Sequence, residues 1–149
     1  MLFRSFVWRS QQTEPVQLIA GGSGIVPLMA MIRSRASMGS TGPFRLLYSV
    51  REPGAIFYRD ELRALSAGDR SVMVTYAYTR TVPKDWPRPP GRIDAALIAE
   101  TTWPATLAPT FYVCGPTPFV ETVANLVTAS GNDRERIRTE RFGPTGESK

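Results

Sequence analysis

The chain has 149 residues, 42% of them apolar, enough for one domain with a core of its own and too few for two comfortable ones. It holds no histidine and one cysteine, Cys114, which excludes a Ser-His-Asp triad, a histidine general base, a histidine-ligated metal, an intrachain disulfide and a cysteine zinc cluster. The net charge of +5 suits polyanions such as nucleic acid, phosphorylated cofactors or acidic proteins. The basic residues form no block, however, and no nucleic-acid-binding signature is present, which disfavours nucleic acid. No apolar run is long enough to span a bilayer, and the N-terminus "MLFRSFVWRSQQTEPVQ" lacks the apolar stretch and cleavage site of a secretory signal. A soluble, cytoplasmic protein without a metal site is expected.

In chain order, residues 16–20 read as a short buried strand, and Ile25, Leu28, Met29 and Ile32 follow at the i, i+3, i+4, i+7 spacing of one helix face. "STGPF" breaks the chain, "FRLLYSV" (44–50) makes a second strand, and Tyr58, Leu62 and Leu65 mark the inner face of a helix ending near Gly68. "SVMVTYAYT" (71–79) is a third strand, residues 82–91 form a proline-rich loop, and Ile93, Ala96 and Leu97 begin a short helix. "TFYVC" (110–114) is the fourth strand. Val120, Val123 and Val127 line a fourth helix stopping near Gly131, and "RIRTERF" (136–142) is an edge strand. Strands alternating with helices predict an α/β fold: a single three-layer domain with a five-stranded parallel sheet, Rossmann-like, helices on both faces. Ligands of such sheets lie beyond the carboxyl ends of the strands, where strand order reverses.

Two turns fall at such ends. In "LIAGGSGIVPLMAMIR" (18–33), Gly21, Gly22 and Gly24 remove Cβ atoms at the start of a helix and expose backbone N–H groups that fit a pyrophosphate. The motif departs from G-x-G-x-x-G by ending in Pro27, which a first helical turn tolerates, and it is not a P-loop. Taken alone, the same glycines also make a tight turn that binds nothing. In "YVCGPTPF" (112–119), Cys114 and Gly115 end a strand and prolines open a helix. A thiol there is either a ligand contact or a small buried hydrophobe.

Together these segments resemble the nucleotide-binding domain of the ferredoxin-NADP reductase family, flavoenzymes that pass hydride between NAD(P)H and flavin. The matching stretches, in the family's order, are "LIAGGSGIVPLMAMIR", "LLYSVREPGAIFYRDEL", "YTR" with "GRID", "FYVCGPTPFVETV" and the terminal "ERFG". The resemblance implies that Gly21, Gly22, Ser23, Gly24 and Pro27 cradle the pyrophosphate and that Cys114, Gly115 and Pro116 border the nicotinamide. It also implies a catalytic pair, Cys114 and Glu140, that orients the ring and stabilises charge without a covalent step, with Phe142 near the flavin. Ser49, Arg51, Thr79 and Arg80, after the second and third strands, complete the expected cofactor-binding set.

A carboxylate at the adenosine ribose selects NAD and an arginine accepts the 2′-phosphate of NADP. Thr79-Arg80, followed by Lys84, Arg88 and Arg92, leans to NADP over NAD, a solvated basic loop being the other reading of the same charges, whereas Arg51 and Glu52 pull in opposite directions. The family's flavin-binding barrel has no counterpart here: residues 1–14 read as its remnant or linker, 15–143 as the NAD(P)-binding domain and 144–149 as a flexible tail. FAD would then belong to a missing domain or partner chain, with an iron–sulfur or other one-electron acceptor beyond it, and the chain would be inactive alone. A non-catalytic dinucleotide-binding module is the alternative.

Overall fold

The first strand, β1 (Val16–Gly21), is buried along its whole length, which suits a run that is apolar but for Gln17 and covered on both faces. It occupies the middle of the sheet in this computed structural model, which describes residues 6–9, 11–68 and 72–142. β2 (Phe44–Val50) and β3 (Met73–Tyr78) extend the sheet on one side, and β4 (Thr110–Pro116) and β5 (Ile137–Phe142) on the other. The order is β3-β2-β1-β4-β5 and every pairing is parallel, as the alternating pattern predicts. The chain leaves β1 for β2 on one side and later returns to place β4 on the other, so strand order reverses between β1 and β4.

Period-two alternation divides the core. Leu18, Ala20, Leu46, Tyr48, Tyr112 and Cys114 pack with α1 (Ile25–Ser37) and α2 (Arg59–Ser66). Ile19, Leu47, Phe111 and Val113 pack with α3 (Ala95–Thr101) and α4 (Thr117–Ala129). The expected three layers are therefore present. Polar loops are tied to strand starts: Gln17 is fully buried and accepts from the Trp103 amide at 3.1 Å, while the Trp103 indole donates to the Val16 carbonyl at 3.0 Å.

The core also reaches upstream of residue 15. Trp8 is buried edge-on against Phe44 at 5.3 Å, Phe6 meets Tyr112 at 5.5 Å, and the Tyr112 hydroxyl donates to the Val7 carbonyl. Two element edges differ from expectation. Tyr58 is not on α2 but precedes it with φ of +63°, its ring under the Arg33 guanidinium, and Arg33 forms a two-pronged pair with Glu61. Ile93 is buried ahead of α3, because Asp94 caps that helix by accepting from the Leu97 amide at 2.9 Å. The expected tail, 144–149, lies outside the described residues.

Candidate functional site

β1 and β4 are neighbours, with Ala20 paired to Cys114, so their carboxyl ends emerge side by side. β1 passes through one 3-10 turn, Gly22–Gly24, into α1, and β4 runs directly into α4. Both helices present free N–H groups and the positive end of the peptide dipoles at this edge. Neither carries an acidic residue in its first turn, so no carboxylate of their own occupies that field.

The glycines divide by role. Gly24 is buried, and a Cβ on it would lie 2.1 Å from the Cys114 carbonyl oxygen, so the first bend packs directly on the backbone of the second. Cβ atoms on Gly21 or Gly115 would both strike the ring of Phe119, at 2.7 and 2.8 Å. Phe119, on the first turn of α4, thus wedges the two bends together. Gly22 is different: it is exposed, has φ of +54°, and a Cβ there would meet nothing within 4 Å. It faces open space beside exposed Ser23, and both line that space, the condition for a ligand oxygen to approach the main chain.

That space is a cleft of two adjoining chambers. The first, about 260 Å³, is lined by Gly21, Gly22, Ser23, Ser49, Val50, Arg51, Thr79, Pro116, Phe119 and Phe142. The second, about 310 Å³, shares Ser49, Thr79 and Phe119 and adds Arg92, Ile93, Pro118, Thr122 and Val123. The lining includes two guanidiniums, Arg51 and Arg92, and no carboxylate. The Thr79 amide donates to the Val50 carbonyl at 2.8 Å and the Arg80 amide to the Arg51 carbonyl at 2.9 Å, which fixes the end of β3 against the end of β2.

Of the residues expected at a site, Gly21, Gly22, Ser23, Ser49, Arg51, Thr79, Pro116 and Phe142 come together in the first chamber. Gly24 and Gly115 lie beneath it as packing surfaces, and Pro27 is half-buried in the first turn of α1. Arg80 is exposed and lines neither chamber; Arg88 is tied to Glu100. Cys114 is buried on the α1 side of the sheet, in register with Glu140 on β5. Neither Cys114 nor Glu140, the expected catalytic pair, lines either chamber; burial, reinforced by the Glu140 carboxylate, pushes the thiol up to about 12, so it stays protonated at ordinary pH. Glu140 is exposed, and Phe142 pairs with Pro116.

Phe119 and Thr122 escaped the sequence reading. The available signal was an aromatic residue four positions after Gly115 in a motif already singled out, but its wedging role requires knowing that the two bends touch. Arg92 was legible as a loop cation, not as a wall of the cleft. Among the described residues no helix is long and apolar enough to cross a membrane, and no cluster of three metal-ligating side chains occurs.

A two-chambered cleft at the strand-order reversal, with bare amides at one end and guanidiniums along it, has the chemistry of a dinucleotide phosphate site. Comparison with known proteins gives the family. The family model of the oxidoreductase NAD-binding domain matches residues 18–125. A flavohemoprotein of Rhodopirellula baltica is 34% identical over 140 residues, 90% of this chain and 33% of that protein. The reductase component of propane 2-monooxygenase from Rhodococcus jostii is 25% identical over 146 residues, 94% of this chain and 38% of that protein. The chain therefore spans about a third of the length of these curated relatives. Among solved structures, the flavohem-like FAD/NAD-binding domain of nitric oxide dioxygenase from Vibrio cholerae superposes with a TM-score of 0.77 at 28% identity, covering 89% of this chain and 53% of that one. The glycine bends, the cleft they open and the family match converge on one assignment: the chain belongs to the oxidoreductase NAD-binding domain family.

Proposed function

We propose that this chain holds NADPH across the two chambers and positions its nicotinamide for hydride transfer to a flavin carried by another domain or chain. The observation that carries the reading is the pairing of an open, left-handed Gly22 beside exposed Ser23 with the free amino end of α1, all at one end of a cleft free of carboxylates. The Gly22 and Ser23 amides would bind the pyrophosphate. Thr79, Arg51 and Arg92 would take the adenosine side, two guanidiniums favouring the 2′-phosphate over a bare ribose hydroxyl. Arg80, next to Thr79, would contribute charge from outside the cleft.

When bound, the nicotinamide supplies a hydride at C4 and a flavin accepts it at N5; the redox chemistry is the cofactors' own. This chain's share is positional. Pro116 and Phe142 line the β4–β5 end of the first chamber, where the ring would lie, while the buried neutral thiol of Cys114 and its register partner Glu140 stand outside the lining and would act on the ring only from behind it. A flavohemoprotein and an oxygenase reductase component among the relatives support an electron acceptor beyond the flavin, for which a haem or iron–sulfur partner is our proposal.

A chimaera tests the reading. Replacing the matching third of the Rhodopirellula flavohemoprotein with this chain should preserve flavin bleaching by NADPH under anaerobic conditions. A chimaera that folds, binds flavin and NADPH and yet transfers no hydride would leave a non-catalytic binding module as the better account.

A further inference from the structure

A separate concavity of about 460 Å³ lies on the α2 side of β3, within the size range of roughly 300–1,000 Å³ common to small-molecule sites. None of its lining residues lines the dinucleotide cleft. Its floor is aromatic. Tyr76 and Tyr78, two positions apart on β3, project to one face with ring centroids 6.0 Å apart and planes 25° apart, and Trp86 meets Tyr78 edge-on at 5.0 Å.

Its rim is cationic. Arg59 and Arg63, one helical turn apart on α2, both line the cavity, and no carboxylate does. Arg59 donates to the Pro53 carbonyl, a neutral acceptor, and forms no ion pair among the described residues. Arg63 pairs, among the described residues, with the exposed carboxylate of Asp60 at 3.5 Å. Burial raises both phenols, so Tyr76 and Tyr78 keep their protons and remain hydrogen-bond donors. An aromatic lining beside two forked donors matches a flat ring that carries an anion.

We propose that this cavity is a second ligand site that takes planar aromatic carboxylates, the ring against Tyr76, Tyr78 and Trp86 and the carboxylate on Arg59 and Arg63. A neutral ring forgoes the charge-assisted hydrogen bonds, and an aliphatic acid forgoes the stacking. The site makes no use of the glycine bends, so its occupancy is independent of the dinucleotide reading.

The test is a titration of the full chain with 2-naphthoate, followed by amide chemical shifts. Saturable shifts confined to residues 53–66 and 74–86 are expected, with 2-naphthamide and cyclohexanecarboxylate each bound at least about tenfold more weakly, the worth of one charge-assisted hydrogen bond or a stacking contact. The Arg59→Ala/Arg63→Ala double variant should lose naphthoate binding by a similar factor while its affinity for NADP⁺ stays that of the parent. Equal binding of naphthoate and naphthamide overturns the proposal without any substitution. Shifts at the glycine bends instead of the cavity, no shift at all, or undiminished binding by a folded double variant also overturn it.

Discussion

The two glycine bends at the head of the sheet look alike in sequence, yet their residues do different work. In the bend after β4, Gly115 is required by a side chain, since any Cβ would drive into the Phe119 ring. In the bend after β1, Gly21 meets the same ring and Gly24 meets the opposite bend's backbone, whereas Gly22 meets nothing and is held by its φ alone. Three glycines therefore build the fold, and one opens the cleft. A glycine-rich motif is thus not a uniform ligand loop, and substitutions along it should separate stability from binding.

The largest effect belongs to Gly24→Ala. With a backbone oxygen 2.1 Å from the new methyl and no flexible side chain to yield, a loss of about 3 kcal/mol or more is expected, read as a lower denaturant midpoint. An unchanged midpoint would mean that the bends do not touch. Phe119→Ala comes next: removing a half-buried wedge should cost about 2 kcal/mol and weaken NADP⁺ as the bends relax, measured on the same sample by denaturation and by binding. Affinity retained at reduced stability would confine Phe119 to packing.

Gly22→Ala should invert that pattern. Its strain costs only about 1 kcal/mol of stability, while NADP⁺ affinity falls about tenfold because the methyl enters the ligand's space. Equal losses for Gly22→Ala and Gly24→Ala would erase the distinction between the bends.

Smaller still is the contrast among arginines. Arg92→Glu should weaken NADPH more than NADH, by about tenfold in the ratio, and Arg80→Glu should change the ratio less, because Arg92 lines the cleft and Arg80 does not. The reverse ranking would move the 2′-phosphate site to Arg80. Cys114 supplies the mildest test: with its thiol protonated below about 12, iodoacetamide at pH 8 should leave it unmodified in the folded chain and label it quickly in denaturant. Rapid labelling of the folded protein would show an open second bend.

Much of this organisation is legible in the residues. Largely apolar runs with turn signals on both sides give β1, β2 and β4, because strands covered on two faces need no alternation. The expected limits of the second strand, 44–50, coincide with β2. Edges blur where tertiary contacts take over. Ile93 has helical spacing with Leu97 but stands outside α3, since the Asp94 cap sets the start; Tyr58 has it with Leu62 but turns left-handed to meet Arg33. At the site, the glycines could be read as a phosphate cradle, but which of them were structural depended on where Cys114 and Phe119 came to rest. Arg92 could not be told from its loop neighbours until the fold turned Arg88 toward Glu100 and left Arg92 in the second chamber.

The central claim is that exposed amides of the first bend grip a dinucleotide phosphate. Isothermal calorimetry with NADP⁺ on the purified, folded chain, run beside Gly22→Ala, tests it most directly: a single saturable site, weakened about tenfold in the variant, is the expected result. No binding heat at any temperature from a demonstrably folded parent chain, or identical isotherms for parent and variant, would contradict it.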